Sequence, residues 1–92
     1  MGKEIATRTV RIVNPLGLHA RAAARFVRLA SQFTASIRVA RGSRELDGKS
    51  ILGLLLLGAS RGTEITLRAE GPDAEPAIEA LSQLVADGFD DE

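Results

Sequence analysis

Neither cysteine nor tryptophan nor tyrosine occurs in the 92 residues, and histidine and methionine occur once each. Without cysteine the chain can form no disulfide framework and no thiolate metal site, and one histidine does not furnish a dedicated zinc centre. Neither a metal nor a cofactor is therefore expected. Aromatic residues are limited to three phenylalanines, which leaves out the stacking platforms that single-strand nucleic-acid binders use. Nucleic-acid binding is not expected. There is no 18-residue apolar run, and Met1-Gly2-Lys3-Glu4 leads straight into an alternating segment rather than a secretory signal. The expectation is a cytoplasmic protein with no membrane insertion. Ninety-two residues suit one domain, 1–92, able to bury a modest core.

What is present is unevenly placed. Net charge is zero, yet residues 1–46 hold nine Lys/Arg against two Asp/Glu and residues 47–92 hold three against ten. The chain is basic first and acidic last, and its sole histidine lies in the basic half.

That histidine stands in Gly17-Leu18-His19-Ala20-Arg21, where an extended segment hands over to a helix. Residues Arg8 to Val13 alternate like a half-buried strand, Asn14-Pro15-Leu16-Gly17 interrupts it, and Ala20 to Phe33 are helix formers with helical spacing. His19 thus falls at or just before a helix N-terminus. Backbone N–H groups there lack intrahelical acceptors and the macrodipole presents partial positive charge, so an anion beside the imidazole would meet donors. Arg21 adds a charged fork suited to phosphate. A neutral imidazole can take a phosphoryl group on a ring nitrogen. A surface histidine near a helix start is the plainer alternative.

Along the chain, Val10 and Ile12 are expected to point inward from the first strand. The helix from His19 to Ser31 should bury Ala20, Ala23, Ala24, Val27 and Ala30, with Phe26 and Leu29 widening the stripe. Arg21, Arg25, Arg28 and Gln32 form a ridge on its other side, either a solvated face or a landing strip for an acidic partner. Ser36–Arg41 and Arg44–Asp47 alternate about Gly42-Ser43, a two-residue hairpin. Ser50 is placed as N-cap of a short helix, Ile51–Leu57, closed by Gly58. That helix is apolar nearly all round, so it is either fully buried or leaves an exposed patch for a partner. Glu64–Ala69 forms a fourth strand with Ile65, Leu67 and Ala69 inward. Asp73 is the expected N-cap of a last helix that buries Ile78, Leu81, Leu84 and Val85, and the acidic tail from Gly88 to Glu92 is expected to fray. The order βαββαβα implies an α+β fold, a four-stranded antiparallel sheet with three helices on one face.

Residues Asn14 to Ala23 (Asn14-Pro15-Leu16-Gly17-Leu18-His19-Ala20-Arg21-Ala22-Ala23) resemble the active-site stretch of HPr, the histidine-containing phosphocarrier of the bacterial phosphoenolpyruvate-dependent phosphotransferase system. Lys49-Ser50-Ile51-Leu52-Gly53-Leu54 through Leu57-Gly58 is similar to the regulatory-serine segment of the same family, at the family spacing. The resemblance runs from about Ile5 to the C-terminus and implies an open-faced β-sandwich.

It also implies function. His19 would take a phosphoryl group from the phosphohistidine of enzyme I and pass it to a histidine on an enzyme IIA-type protein, with Arg21 stabilising the phosphate. The chain would be a monomeric, stoichiometric carrier rather than an enzyme. Ser50 would be the serine that an HPr kinase/phosphorylase modifies in some bacteria. Leu16, Ala24, Arg25, Arg28, Lys49, Ile51, Leu52 and Leu55 would meet partners. Alanine stands at position 22, where the family commonly has proline. Asn14-x-Leu16-Gly17 and Gly88-Phe89-Asp90 resemble the nitrogen-related branch, whereas Gly48-Lys49-Ser50 is more similar to the sugar branch. Two other readings compete: a purely regulatory binding module would use the leucine patch alone, and an enzyme would need further catalytic groups near His19, which the sequence does not display.

Overall fold

The computed structural model describes residues 4–90 of the chain. Seven elements follow in the expected order: β1 (Ile5–Arg11), α1 (Ala20–Ala30), β2 (Ser36–Arg41), β3 (Arg44–Asp47), α2 (Ile51–Leu57), β4 (Glu64–Glu70) and α3 (Ala74–Ala86), with a short 3-10 turn at Gly88–Asp90. The strands form one antiparallel sheet in the order β1-β4-β2-β3. The helices cover one face of that sheet, giving an open-faced sandwich.

Strand alternation decides which face is dry. Ile37, Val39, Ile65, Leu67 and Ala69 are buried beneath the helices with Ala6 and Ile12. Val10 is half-buried against the same core. On the open face, the Thr9 and Thr66 hydroxyls lie 3.1 Å apart and Arg11 donates to Glu64 at 2.8 Å. These polar cross-strand pairs leave that face suited to water. β1 begins and ends earlier than the periodicity from Arg8 to Val13 predicts, because its register is set by β4, running from Ile5 opposite Glu70 to Arg11 opposite Glu64. Ile12 instead exchanges backbone bonds with the turn before β4, donating to Thr63 O and accepting from Gly62 N.

Three expectations need correction. In α1 the buried residues are Ala22, Ala23, Phe26 and Ala30, while Ala20 is exposed and Ala24, Val27 and Leu29 are half-buried. The helix packs against both α2 and α3, and its buried arc is shifted from Ala20 towards Ala22 and Phe26. Asp73 occupies the N-cap of α3, but its side chain makes no cap bond. Its two carboxylate oxygens accept from Thr34 N and Ala35 N, both at 2.8 Å, which fastens the α1–β2 connection to the start of α3. The hydrogen bond from Thr34, aided by that from Ala35 and opposed by partial desolvation, holds this carboxyl below its ordinary range.

The third correction concerns the tail. Asp91 and Glu92 lie outside the described residues, but Gly88 and Phe89 before them are buried, Phe89 completely. Phe89 and Asp90 adopt left-handed φ angles of 59° and 57°. Such backbone in non-glycine residues persists only where surroundings impose it. Here Arg25 donates from one guanidinium nitrogen to Phe89 O at 2.8 Å and Asp90 O at 2.9 Å, and the ring of Phe89 fills the core.

Candidate functional site

The loop ahead of α1 is built before the histidine is reached. Asn14 is buried, and its side-chain amide donates to Gly17 O at 2.7 Å while Gly17 N donates back to Asn14 O at 3.1 Å. Gly17 has φ +65°, and a Cβ there would stand 2.7 Å from Ala59 O and 2.9 Å from the Cα of Ser60. Only glycine satisfies both demands. Leu18 then turns inward and donates its N–H to Ala59 O at 2.9 Å. The loop is thereby fixed against the segment that follows α2.

Immediately after this anchor His19 forms the N-cap of α1, with extended backbone (φ −80°, ψ −179°). Its imidazole is half-buried, and Nδ1 accepts from Arg21 N at 3.3 Å. The capping group is therefore the ring nitrogen itself, and its lone pair faces the Arg21 amide in the first turn. Arg21 is exposed in the first turn of α1, one turn ahead of Arg25. With no acidic residue in the first turn of α1, that end stays positive.

The other candidates divide between surface and structure. Leu16 is 66% exposed beside the histidine loop, and on α2 Ile51, Leu52 and Leu55 are 42%, 66% and 39% exposed. Leu56, which sequence did not single out, is 58% exposed on the same helix. Leu54 and Leu57 are fully buried and hold α2 to the core. Ser50 caps α2, its Oγ accepting from Gly53 N at 3.0 Å, and Gly58 closes it at φ +67°. Lys49 is half-buried and its Nζ donates to Phe33 O at 2.8 Å. Arg28 is exposed, Ala24 is half-buried, and Arg25 spends donors on the carboxyl-terminal turn. Among the described residues no group of three His, Cys, Asp or Glu could hold a metal ion, and no helix is long and apolar enough to cross a membrane.

Residues 6–87 match the family model for the PTS HPr component phosphorylation site. The chain belongs to the HPr phosphocarrier family. Among curated relatives, the phosphocarrier protein HPr of Cupriavidus necator is 43% identical over 82 residues, covering 89% of this chain and 92% of that one. The phosphocarrier protein NPr of Shewanella violacea is 45% identical over 84 residues, covering 91% and 92%. Among solved structures, HPr-C-His from Thermoanaerobacter tengcongensis superimposes with a TM-score of 0.90 at 44% identity, covering 95% of this chain and 98% of its own. HPr proteins work within the phosphotransferase system as phosphocarriers and not as enzymes that turn over a small molecule.

Sequence reasoning named Asn14 and Gly17 as part of the motif but foresaw neither the burial of Asn14 nor the seat of Gly17 on Ala59 and Ser60. Asn14 and Gly17, three residues apart, signal a local turn, but the partner segment lies more than forty residues away and leaves no local trace.

Proposed function

We propose that His19 accepts a phosphoryl group on Nδ1 from the phosphohistidine of enzyme I and passes it to a histidine on an enzyme IIA-type protein. The observation that carries this reading is the orientation of the ring: Nδ1 caps α1, so a phosphoryl group there meets the first-turn amides and the Arg21 guanidinium. As the N–P bond to His19 forms, the N–P bond on the donor breaks, and the proton leaving Nε2 of one ring is balanced by one taken up on the other. Phosphate oxygens replace Nδ1 as acceptors for the amides, which keeps the helix start satisfied in both states. Because the site is half-buried rather than enclosed, the product stays accessible to the next protein.

Ser50 is the proposed regulatory position, modified by an HPr kinase/phosphorylase where one is present. Its hydroxyl lies at the N-terminus of α2 beside Ile51, Leu52 and Leu55, whose exposed apolar surface, with Leu16, supports a docking role. Phosphate at Ser50 would add about two negative charges at the rim of that surface. The chain works as a cytoplasmic monomer in this reading, in either the sugar or the nitrogen-related branch.

Incubation with enzyme I and phosphoenolpyruvate tests the central claim. Acid-labile, base-stable phosphate should appear on the protein and vanish in His19→Ala. Equal acid-labile labelling of His19→Ala would overturn it.

A further inference from the structure

α2 is too short to be stable through its own ladder. It has seven residues, buries only Leu54 and Leu57, and carries no basic residue in its last turn, whereas isolated helices below about 12 residues are marginal. Its last carbonyls nonetheless have cationic partners from elsewhere. Arg41 donates from one guanidinium nitrogen to Leu57 O at 2.9 Å and Gly58 O at 3.0 Å, and Arg44 donates to Leu56 O. These two arginines face each other directly across the β2–β3 hairpin. Like charges in that register repel. The negative end of α2, where carbonyls lack intrahelical donors, offsets the repulsion and gives both guanidinium groups partners.

At the other end Ser50 caps Gly53 N, and Lys49 reaches Phe33 O beyond the end of α1. α2 is thus clamped at both termini by charged or polar groups while Ile51, Leu52, Leu55 and Leu56 face outward. An apolar face presented on a fixed helix loses less entropy on docking than one on a fraying helix.

We propose that Arg41 and Arg44 are positioning residues for partner docking: they touch no phosphoryl group, but hold the carboxyl-terminal turn of α2 so that its exposed leucines are presented in one arrangement. This rests on the reading that the α2 face meets enzyme I. Loss of the clamp raises KM for the carrier in the enzyme I reaction and leaves kcat nearly unchanged, because the chemistry lies at His19.

The test uses Arg41→Met, Arg44→Met and the double variant, which keep an apolar stem but remove the donors. Arg41→Lys and Arg44→Lys serve as conservative controls, and Leu52→Ala reports on docking itself. Amide exchange in Leu55–Gly58 should speed by about tenfold or more in the double variant while the β4 amides keep their protection. KM should rise about threefold or more with kcat within about a factor of two, and lysine should restore part of the loss. Phosphorylation of His19 by phosphoramidate, a small donor that needs no docking surface, should proceed at the parent rate. Each single methionine variant should show the same KM shift in smaller measure, which keeps the test decisive should the double variant unfold. If Leu52→Ala raises KM but the methionine variants do not, the positioning role is overturned and the docking reading stands. If Leu52→Ala leaves KM unchanged as well, the docking reading fails and the positioning role falls with it. Unchanged exchange in α2 would show that the arginines do not hold the helix.

Discussion

Two helix starts in this protein are capped by side chains that the family resemblance marks for phosphate, and they are built differently. Ser50 caps α2 in the ordinary way, with a hydroxyl 3.0 Å from the amide three residues on. His19 caps α1 with a ring nitrogen 3.3 Å from the amide two residues on. The first is a good structural bond and the second a long one. What fixes His19 is the loop before it, locked by Asn14, by Gly17 on Ala59–Ser60 and by the inward turn of Leu18. A cap that the fold does not depend on is one whose nitrogen can be given over to a phosphoryl group. At α2 the cap supports a short helix, so a modification there acts on structure and surface together.

Exchanging the two roles by mutation is the most direct way to break this contrast. His19→Ala should abolish phosphoryl uptake from enzyme I while shifting stability by no more than about 0.5 kcal/mol, as for a surface substitution. Ser50→Ala should do the reverse, retaining uptake but losing about 1 kcal/mol, read as a fall of several degrees in the thermal midpoint. A His19→Ala protein that loses as much stability as Ser50→Ala would show that both caps are structural.

Arg21 sharpens the contrast from the side of chemistry. Arg21→Ala should slow transfer at least about tenfold, about 1.4 kcal/mol of barrier, with the thermal midpoint little changed. Stopped-flow or quench kinetics with enzyme I would decide this, and equal rates would leave Arg21 as surface charge.

A smaller effect is expected when Ser50 keeps its capping ability but gains charge. Ser50→Asp should melt close to the parent, since Asp caps about as well as Ser, yet raise KM with enzyme I by an amount that shrinks as salt rises. A KM independent of ionic strength would mean the charge lies outside the docking surface.

Smallest of all is an effect read from the pH dependence of stability, away from both helix starts. The Asp73 carboxyl is held below its ordinary value of 3.8 by the bond from Thr34 N. A depressed carboxylate contributes stability that is complete above its unfolded pKa and is lost as pH falls through its folded one. Asp73→Asn should therefore be less stable near neutrality but lose less further stability on acidification below pH 3.8. Parallel stability curves for parent and variant would contradict the assignment.

The features that could be read in the sequence are those whose signals are local. Ser50 and Gly58 bracket α2 within nine residues, Gly42-Ser43 marks a hairpin, and the break at Asn14–Gly17 places His19 at a helix start. What escaped depends on tertiary register. Arg25 could be assigned to a basic ridge by period alone, but its bonds to Phe89 O and Asp90 O require α1 and the chain end to be neighbours. Asp73 has the residue type of a cap, yet two amides of the α1–β2 connection lie within reach and take both oxygens. The α1 stripe was misplaced, taking in exposed Ala20 and leaving out buried Ala22, because helical period does not say which neighbours a buried face meets. At the site, position was legible in the sequence and the loop's anchor on Ala59–Ser60 was not.

The strand order has a consequence for how this protein is made. β1 pairs with β4 alone, and the His19 loop leans on Ala59 and Ser60. A ribosome adding roughly 5–20 residues per second leaves the first strand without a sheet neighbour for several seconds, and the histidine without its frame for nearly as long. A nascent chain therefore carries His19 well before it carries the frame around it, and in the proposed reading phosphate uptake waits until the segment through β4 has been made.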